Sequence, residues 1–279
     1  MFYLQLRNEL WKLFGKKRTY IGFGMFLLAE IVIILIFRYS NATRWMKRTL
    51  ENNGYLADQF LSTLTIASLM VIILSYTLLP LYVALVGGDL VSKEAEDGTL
   101  RMILSRPISR MRLLGLKWLA GFIFSFVLVL SLGLFGLVFS ALWFPADGNL
   151  FVSLPGERIN IFEAWPGLER YAAAHLFMVS TACTVMGLAF MFSCFNMKPA
   201  AATILALSLI MINGILMEIP YFKDLQHWFI TYHLNIWQLL FVEKIPWWKI
   251  GESVSILLGY NVTFVIVGGT VFHMRDIKS

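Results

Sequence analysis

Residues Gly87 to Lys117, GGDLVSKEAEDGTLRMILSRPISRMRLLGLK, form the largest charged interruption in an otherwise apolar chain. They hold Lys93, Glu94, Glu96, Asp97, Arg101, Arg106, Arg110, Arg112 and Lys117, and runs long enough to cross a bilayer flank them. A cluster this polar between two spans has to lie in water or against another protein, because unpaired charge is costly in hydrocarbon.

The local grammar of the stretch is readable. Gly98 breaks any helix arriving from Asp89, and Thr99 is a natural N-cap whose hydroxyl can accept an orphan backbone N–H. Leu100 to Ser105 then form a short helix, with Leu100, Ile103 and Leu104 on one face. Glu96 and Asp97 precede it and Arg106 ends it, which suits the helix dipole. Pro107 stops it. Ser109 is a second N-cap, opening a helix that runs through Lys117 and Trp118 into the membrane. A short helix with an apolar face and charged rims has the shape to plug into a groove on a partner.

The run Glu94-Ala95-Glu96-Asp97-Gly98-Thr99-Leu100, followed by Leu104-Ser105-Arg106-Pro107-Ile108-Ser109-Arg110 and Lys117, resembles the signature of type-2 ABC transporter permeases. Residue type, order and spacing agree over about two dozen residues, and elsewhere the likeness is one of architecture. The resemblance implies a cytoplasmic coupling helix between spans two and three that docks on a separate ATP-binding subunit. Carried onto this chain, the coupling residues are Glu94, Glu96, Gly98, Thr99, Leu100, Arg101, Ile103, Leu104, Arg106, Pro107, Ser109 and Arg110. Glu96, Arg101, Arg106 and Arg110 would make the charged contacts. The resemblance also implies a pair of ATPase subunits holding ATP and Mg, with no cofactor in this chain, and a second six-span chain, same or sister. Export of hydrophobic peptides, drugs or lipids is the implied work, although some members of the family serve metal-centre assembly or move force to an outer partner.

Composition agrees with a membrane protein. The 279 residues are 58% hydrophobic and 14% charged, where soluble domains carry about 25%. The net charge of +6 does not indicate nucleic acid, because most basic residues flank spans and so set orientation. Cys183 and Cys194 would lie about 16 Å apart on one helix, beyond the roughly 7 Å Cα limit of a disulfide, so both read as buried thiols. The first apolar block is too long for a cleaved signal peptide and should remain as an anchor.

The fold class expected is an all-α integral membrane protein. Residues 1–19 form an interfacial amphipathic helix, with Phe2, Leu6, Leu10, Leu13 and Phe14 on one face and Gln5, Arg7, Glu9 and Lys12 elsewhere. Residues 20–279 hold six spans, at about 20–37, 61–86, 113–144, 171–194, 200–218 and 253–272. Glu30 lies at bilayer depth. It is either a substrate, ion or proton site, or a carboxyl that stays protonated or pairs inside the bundle. Pro80 should kink span two, and Gly115, Gly121, Gly133 and Gly136 should let helices approach span three. Asn213 in span five is placed to hydrogen-bond across the bundle.

Outside the spans, Arg38, Arg44, Lys47 and Arg48 make the 38–60 segment basic, suited to lipid headgroups, an acidic partner or a solvated amphipathic helix. The 145–170 segment, with turn dipeptides Pro155-Gly156 and Pro166-Gly167, reads as a solvated face. Residues 221–252 read as one half-inserted outer amphipathic helix rich in tryptophan. His227 and His233 are six apart, the wrong spacing for a metal pair on one helical face. Lys and Arg number 14 on the side of the termini and the Gly87–Lys117 stretch and 9 on the other. The positive-inside rule thus puts both termini and the Gly87–Lys117 stretch in the cytoplasm, and the cell's inner membrane is the location the resemblance implies.

The chain has no GxxxxGK[ST] loop, HExxH pair or GxSxG elbow, so no catalytic or metal residue is assigned. Energy for transport has to come from another subunit. The competing readings are an ion-coupled carrier using Glu30, since six spans can divide into inverted halves, and a non-transporting scaffold or sensor.

Overall fold

The computed structural model describes residues 2–52, 54, 60–105, 108–154 and 159–274, without the side chains of Trp45, Thr49, Arg101 and Leu104. Of the described residues 82% are helical, and these residues are all-α apart from one small hairpin. Among the described residues, five helices are long and apolar enough to cross a membrane: α2 (Lys17–Tyr39), α7 (Arg110–Ala141), α8 (Ala164–Ser193), α9 (Pro199–Glu218) and α11 (Trp247–Met274). Two more, α4 (Thr63–Tyr76) and α5 (Leu78–Glu96), meet at a 46° bend and pass the same test together, as a sixth. Helix α1 (Phe2–Phe14) precedes them.

The bend has a local cause. Thr77 donates its hydroxyl to the Ile73 carbonyl at 2.9 Å, a back-bond that bends helices. Pro80 has no N–H for the Tyr76 carbonyl four residues earlier. The break therefore falls at Thr77, and Pro80 sits in the first turn of α5, where a missing N–H costs least. Helix α5 also runs on to Glu96, ten residues past the expected end of the span. Gly87 and Gly88 do not stop it, because they are approach sites. A Cβ on Gly87 would meet the Met186 carbonyl of α8 at 2.3 Å, and one on Gly88 would meet Thr203 of α9 at 2.4 Å.

Helix α8 is the centre of the bundle. In its apolar window 67% of the residues are buried, against 22% in α2 and 17% in α9, so those two lie at the edge. Three of the four glycines expected to admit neighbours onto α7 do so. Gly121 receives Leu90 and Met186, Gly133 receives the His175 ring, and Gly136 faces Tyr171 and Glu30, while Gly115 has nothing near it. Both cysteines are buried.

The far end departs from expectation in two places. The 145–170 segment is not simply a solvated face. Strands β1 (Leu150–Val152) and β2 (Asn160–Phe162) pair antiparallel, with Leu150 opposite Phe162. Leu150, Phe151 and Val152 are buried, and Ser62 and Thr65 at the start of α4 bond the Asn149 carbonyl and the Phe151 N–H. Pro155, Gly156 and Arg158 lie outside the described residues, as do Arg275 and Lys278 of the tail.

The 221–252 segment is not one amphipathic helix either. It is a 3-10 turn over Pro220–Trp228, α10 (Ile230–Leu234), a second 3-10 turn over Ile236–Phe241, and then the start of α11. Extended backbone at Phe229 separates the first two pieces. The breaks let Trp237, Leu240 and Phe241 bury themselves while Trp228 stays outside. Arg170 of α8 holds the result, donating to the carbonyls of Leu240 and Val242 at 2.6 Å each. By contrast α3 (Ala42–Asn52) is the amphipathic helix expected there, with Met46 and Leu50 buried and Arg44 and Arg48 exposed.

Candidate functional site

Helix α5 ends at Glu96, capped by Asp97, and Gly98 turns the chain in left-handed geometry at φ +71°. Only glycine enters that region without strain. Helix α6 (Thr99–Leu104) follows at once. Thr99 does not act as the N-cap. It is the first residue of α6 and its hydroxyl donates to the Glu94 carbonyl at 3.3 Å, satisfying an orphan acceptor at the end of α5. Ser109 is a true N-cap, accepting the Arg112 N–H at 3.3 Å as α7 begins.

The apolar face of α6 is turned toward its own chain. Leu100 is buried and Ile103 packs partly buried against the core. Among the described side chains of α6, the large apolar one presented outward is Met102, 66% exposed. Arg101 and Leu104 lie in α6 without described side chains, and Arg106 and Pro107 lie outside the described residues. Arg110 donates to the His273 carbonyl at 2.9 Å, placing its charge at the C-terminal end of α11 where the dipole favours it.

Behind α6 lies an ionic cluster tying three helices. Lys117 of α7, 2% exposed, has its ammonium 2.8 Å from Glu9 Oε2 of α1 and 2.7 Å from Glu94 Oε2 of α5. The contact to Glu94 is an ion pair without hydrogen-bond geometry. Lys12 closes the ring, 2.7 Å from Glu9 and 3.3 Å from Glu94. Burial alone would raise the Glu9 carboxyl. The charge of Lys117 and the hydrogen bonds of Lys117 and Lys12 outweigh it and hold Glu9 below its ordinary value. For Lys12, burial pulls downward, and the bonds and charges of Glu9 and Glu94 carry it above its ordinary value.

Glu94 thus points inward, whereas Glu96, 45% exposed, pairs with Lys93 at 2.8 Å on the surface. Glu9, expected on the polar side of α1, is buried, while Phe2 on the expected apolar face is 51% exposed. A lysine seven residues inside an apolar helix needs counter-ions, and that demand is the signal in the sequence of an ionic cluster here, without naming its partners.

Glu30 faces the bundle interior at 1% exposure, and neither carboxylate oxygen has a hydrogen-bond partner among the described residues. A Cβ on Gly136 would lie 3.8 Å from Glu30 Oε1 and 3.5 Å from Tyr171 Oη. Tyr171 donates to the Gly133 carbonyl at 2.9 Å, and His175 Nδ1 lies 2.7 Å from the Tyr171 carbonyl. Asn213 does not bond across the bundle. It donates to Leu209 of its own helix at 2.9 Å. The cross-helix amide is Asn261 of α11, which donates to Thr184 of α8 at 2.8 Å. His233 is held by Ser253 and the His227 carbonyl, and no group of three metal-ligating side chains occurs among the described residues.

A family model described as ABC-2 family transporter protein matches residues 11–277, nearly the whole chain. No curated protein matches it.

Proposed function

From a chain that belongs to the ABC-2 transporter family, and is thereby a membrane permease subunit of an ABC transporter, we propose an exporter subunit whose α6 docks on a separate ATP-binding subunit. ATP and Mg belong to that partner, and two six-span chains, like or sister, form the pathway. The termini and α6 face the cytoplasm, in keeping with the 14 basic residues on that side against 9 on the other. Helix α1 lies along the same membrane surface, its exposed Tyr3, Leu4 and Trp11 in the interface.

One observation carries this reading. Helix α6 hangs between two helices whose bases Lys117 and Glu94 clamp together. A push on a short helix seated this way moves α5 and α7 as a unit rather than flexing a loop. The bend at Thr77 gives the lower half of the second span a place to tilt. Met102 is the apolar anchor on the outward face, and Glu96 supplies surface charge beside it. Glu30 is a candidate pathway residue, favoured by a carboxylate inside the bundle that has no hydrogen-bond partner among the described residues.

The test is gentle affinity purification from native membranes, with mass spectrometry and an ATPase assay. A stoichiometric soluble ATPase should accompany the wild-type chain, and Gly98→Pro and Met102→Glu should each lower its capture about tenfold while the chain still inserts. Undiminished capture by both variants would remove α6 as the docking element. A six-span chain without an ATPase would shift the reading to ion-coupled transport through Glu30 or to a scaffold.

A further inference from the structure

The bend at Thr77 leaves an apolar slot of about 360 Å³ on the membrane face, between α2 and the upper turns of α5. Ile21 and Met25 of α2 and Leu78 and Leu81 of α5 line its walls. Tyr82 also lines it, its ring occupying the space a Gly22 side chain would need and its hydroxyl donating to the Arg18 and Thr19 carbonyls. From Arg18 to Phe26 the slot follows about 12 Å of helix, close to half of a hydrocarbon core about 30 Å thick. It is one leaflet deep.

Its rim is basic. Arg18 lines the slot, 54% exposed with one nitrogen 2.8 Å from Asp89, and Lys16 and Lys17 immediately precede Arg18 in the chain, both exposed. Three consecutive cations at the start of α2, of which Arg18 pairs with Asp89, make this end of the slot basic. We propose that this slot holds one acyl chain of an anionic phospholipid, with its phosphate on the rim formed by Lys16, Lys17 and Arg18. Apolar walls alone would suit a helix of a second copy equally well. A copy related by a two-fold axis along the membrane normal would bring the same three cations to the same level, and like charges would oppose the contact. A phosphate at headgroup depth complements them. A lipid seated here wedges α2 from the tilting half of the second span, so its occupancy bears on the hinge. The site does not depend on how or whether an ATPase docks.

The full chain, purified in detergent, is titrated with phosphatidylglycerol or with phosphatidylcholine of the same acyl composition and read by native mass spectrometry. One phosphatidylglycerol should be retained at concentrations about tenfold below phosphatidylcholine. The double variant Lys16→Gln/Lys17→Gln should bring the two lipids within about twofold of each other. Leu81→Trp fills the slot from its wall and should lower retention of both lipids. Ile21→Trp, on the opposite wall, serves the same purpose if the first variant fails to fold. Equal retention of the two lipids by the wild type would overturn the proposal. A preference that survives the double variant, or efficient disulfide crosslinking of Met25→Cys between two copies in native membranes, would overturn it too, the last in favour of a second copy in the slot.

Discussion

The ammonium of Lys117 lies 2.7 Å from Glu94 Oε2, joining the helices on either side of α6 at a point closed to solvent. Removing one partner of a buried ion pair leaves the other charge uncompensated, at a cost of about 3–5 kcal/mol. We therefore expect Lys117→Met to destabilise the chain strongly. Adding Glu94→Gln should recover much of the loss, because Lys12 and Glu9 then remain as a balanced pair. Thermal unfolding of the single and double variants in detergent measures this as a cycle. Strictly additive effects would mean that the two side chains do not interact.

The same cluster gives a pH signature. The folded chain holds Glu9 below its ordinary 4.5, so the carboxylate contributes stability that is fully present above that value. The contribution is lost as pH falls through the depressed folded value. Lys12 works in the other sense. Held above its ordinary 10.5, it contributes stability below that value and loses it as pH rises through the raised one. Glu9→Gln should thus be less stable than wild type at neutral pH, and the gap should close in acid. A gap that stays constant from neutral to strongly acidic conditions would sink this assignment.

Much of the fold could be read in advance because long apolar runs and their capping residues act locally. Ser109 caps α7 and Gly98 turns the chain as their types demand. What sequence could not give was pairing at a distance. Glu9 and Lys117 are 108 residues apart, and nothing in either neighbourhood names the other. Glu94 looked like a surface contact because its neighbours are polar, yet burial opposite Lys117 turns it inward. The outer pieces failed for a related reason. A helical period in residues 221–252 suggests one helix, but Arg170 and the α8 surface reward a broken path that buries Trp237. Asn213 and Asn261 are alike in sequence context, and only packing makes the second the cross-helix bond.

Two glycines one turn apart on α7 should respond oppositely to the same change. A Cβ on Gly133 would sit 2.5 Å from the His175 ring, which is itself buried and pinned by the Tyr171 carbonyl. Gly133→Ala should cost about 1–3 kcal/mol of overpacking. A Cβ on Gly136 would meet Tyr171 and Glu30 only at ordinary contact distances. There the helix propensity of alanine, worth up to about 1 kcal/mol over glycine, should make the change neutral or stabilising. Melting temperatures of the two variants decide it, and equal shifts would argue that α7 can move away from α8 at both points.

Glu30 distinguishes a structural carboxyl from a working one. Its oxygens find no hydrogen-bond partner among the described residues, and Tyr171, across the Gly136 notch, donates to Gly133 instead. A side chain kept only for packing would be served as well by an amide of the same size. Glu30→Gln should therefore insert and melt like the wild type, or slightly above it, since a costly ionisable group is removed from the bundle. If the carboxyl takes part in moving substrate, the ATP-driven work of the purified complex should fall severalfold in the same variant. The two readouts must be taken together. Stability preserved with turnover lost assigns Glu30 to the pathway, whereas normal turnover across pH assigns it to the packing of α2 against α7.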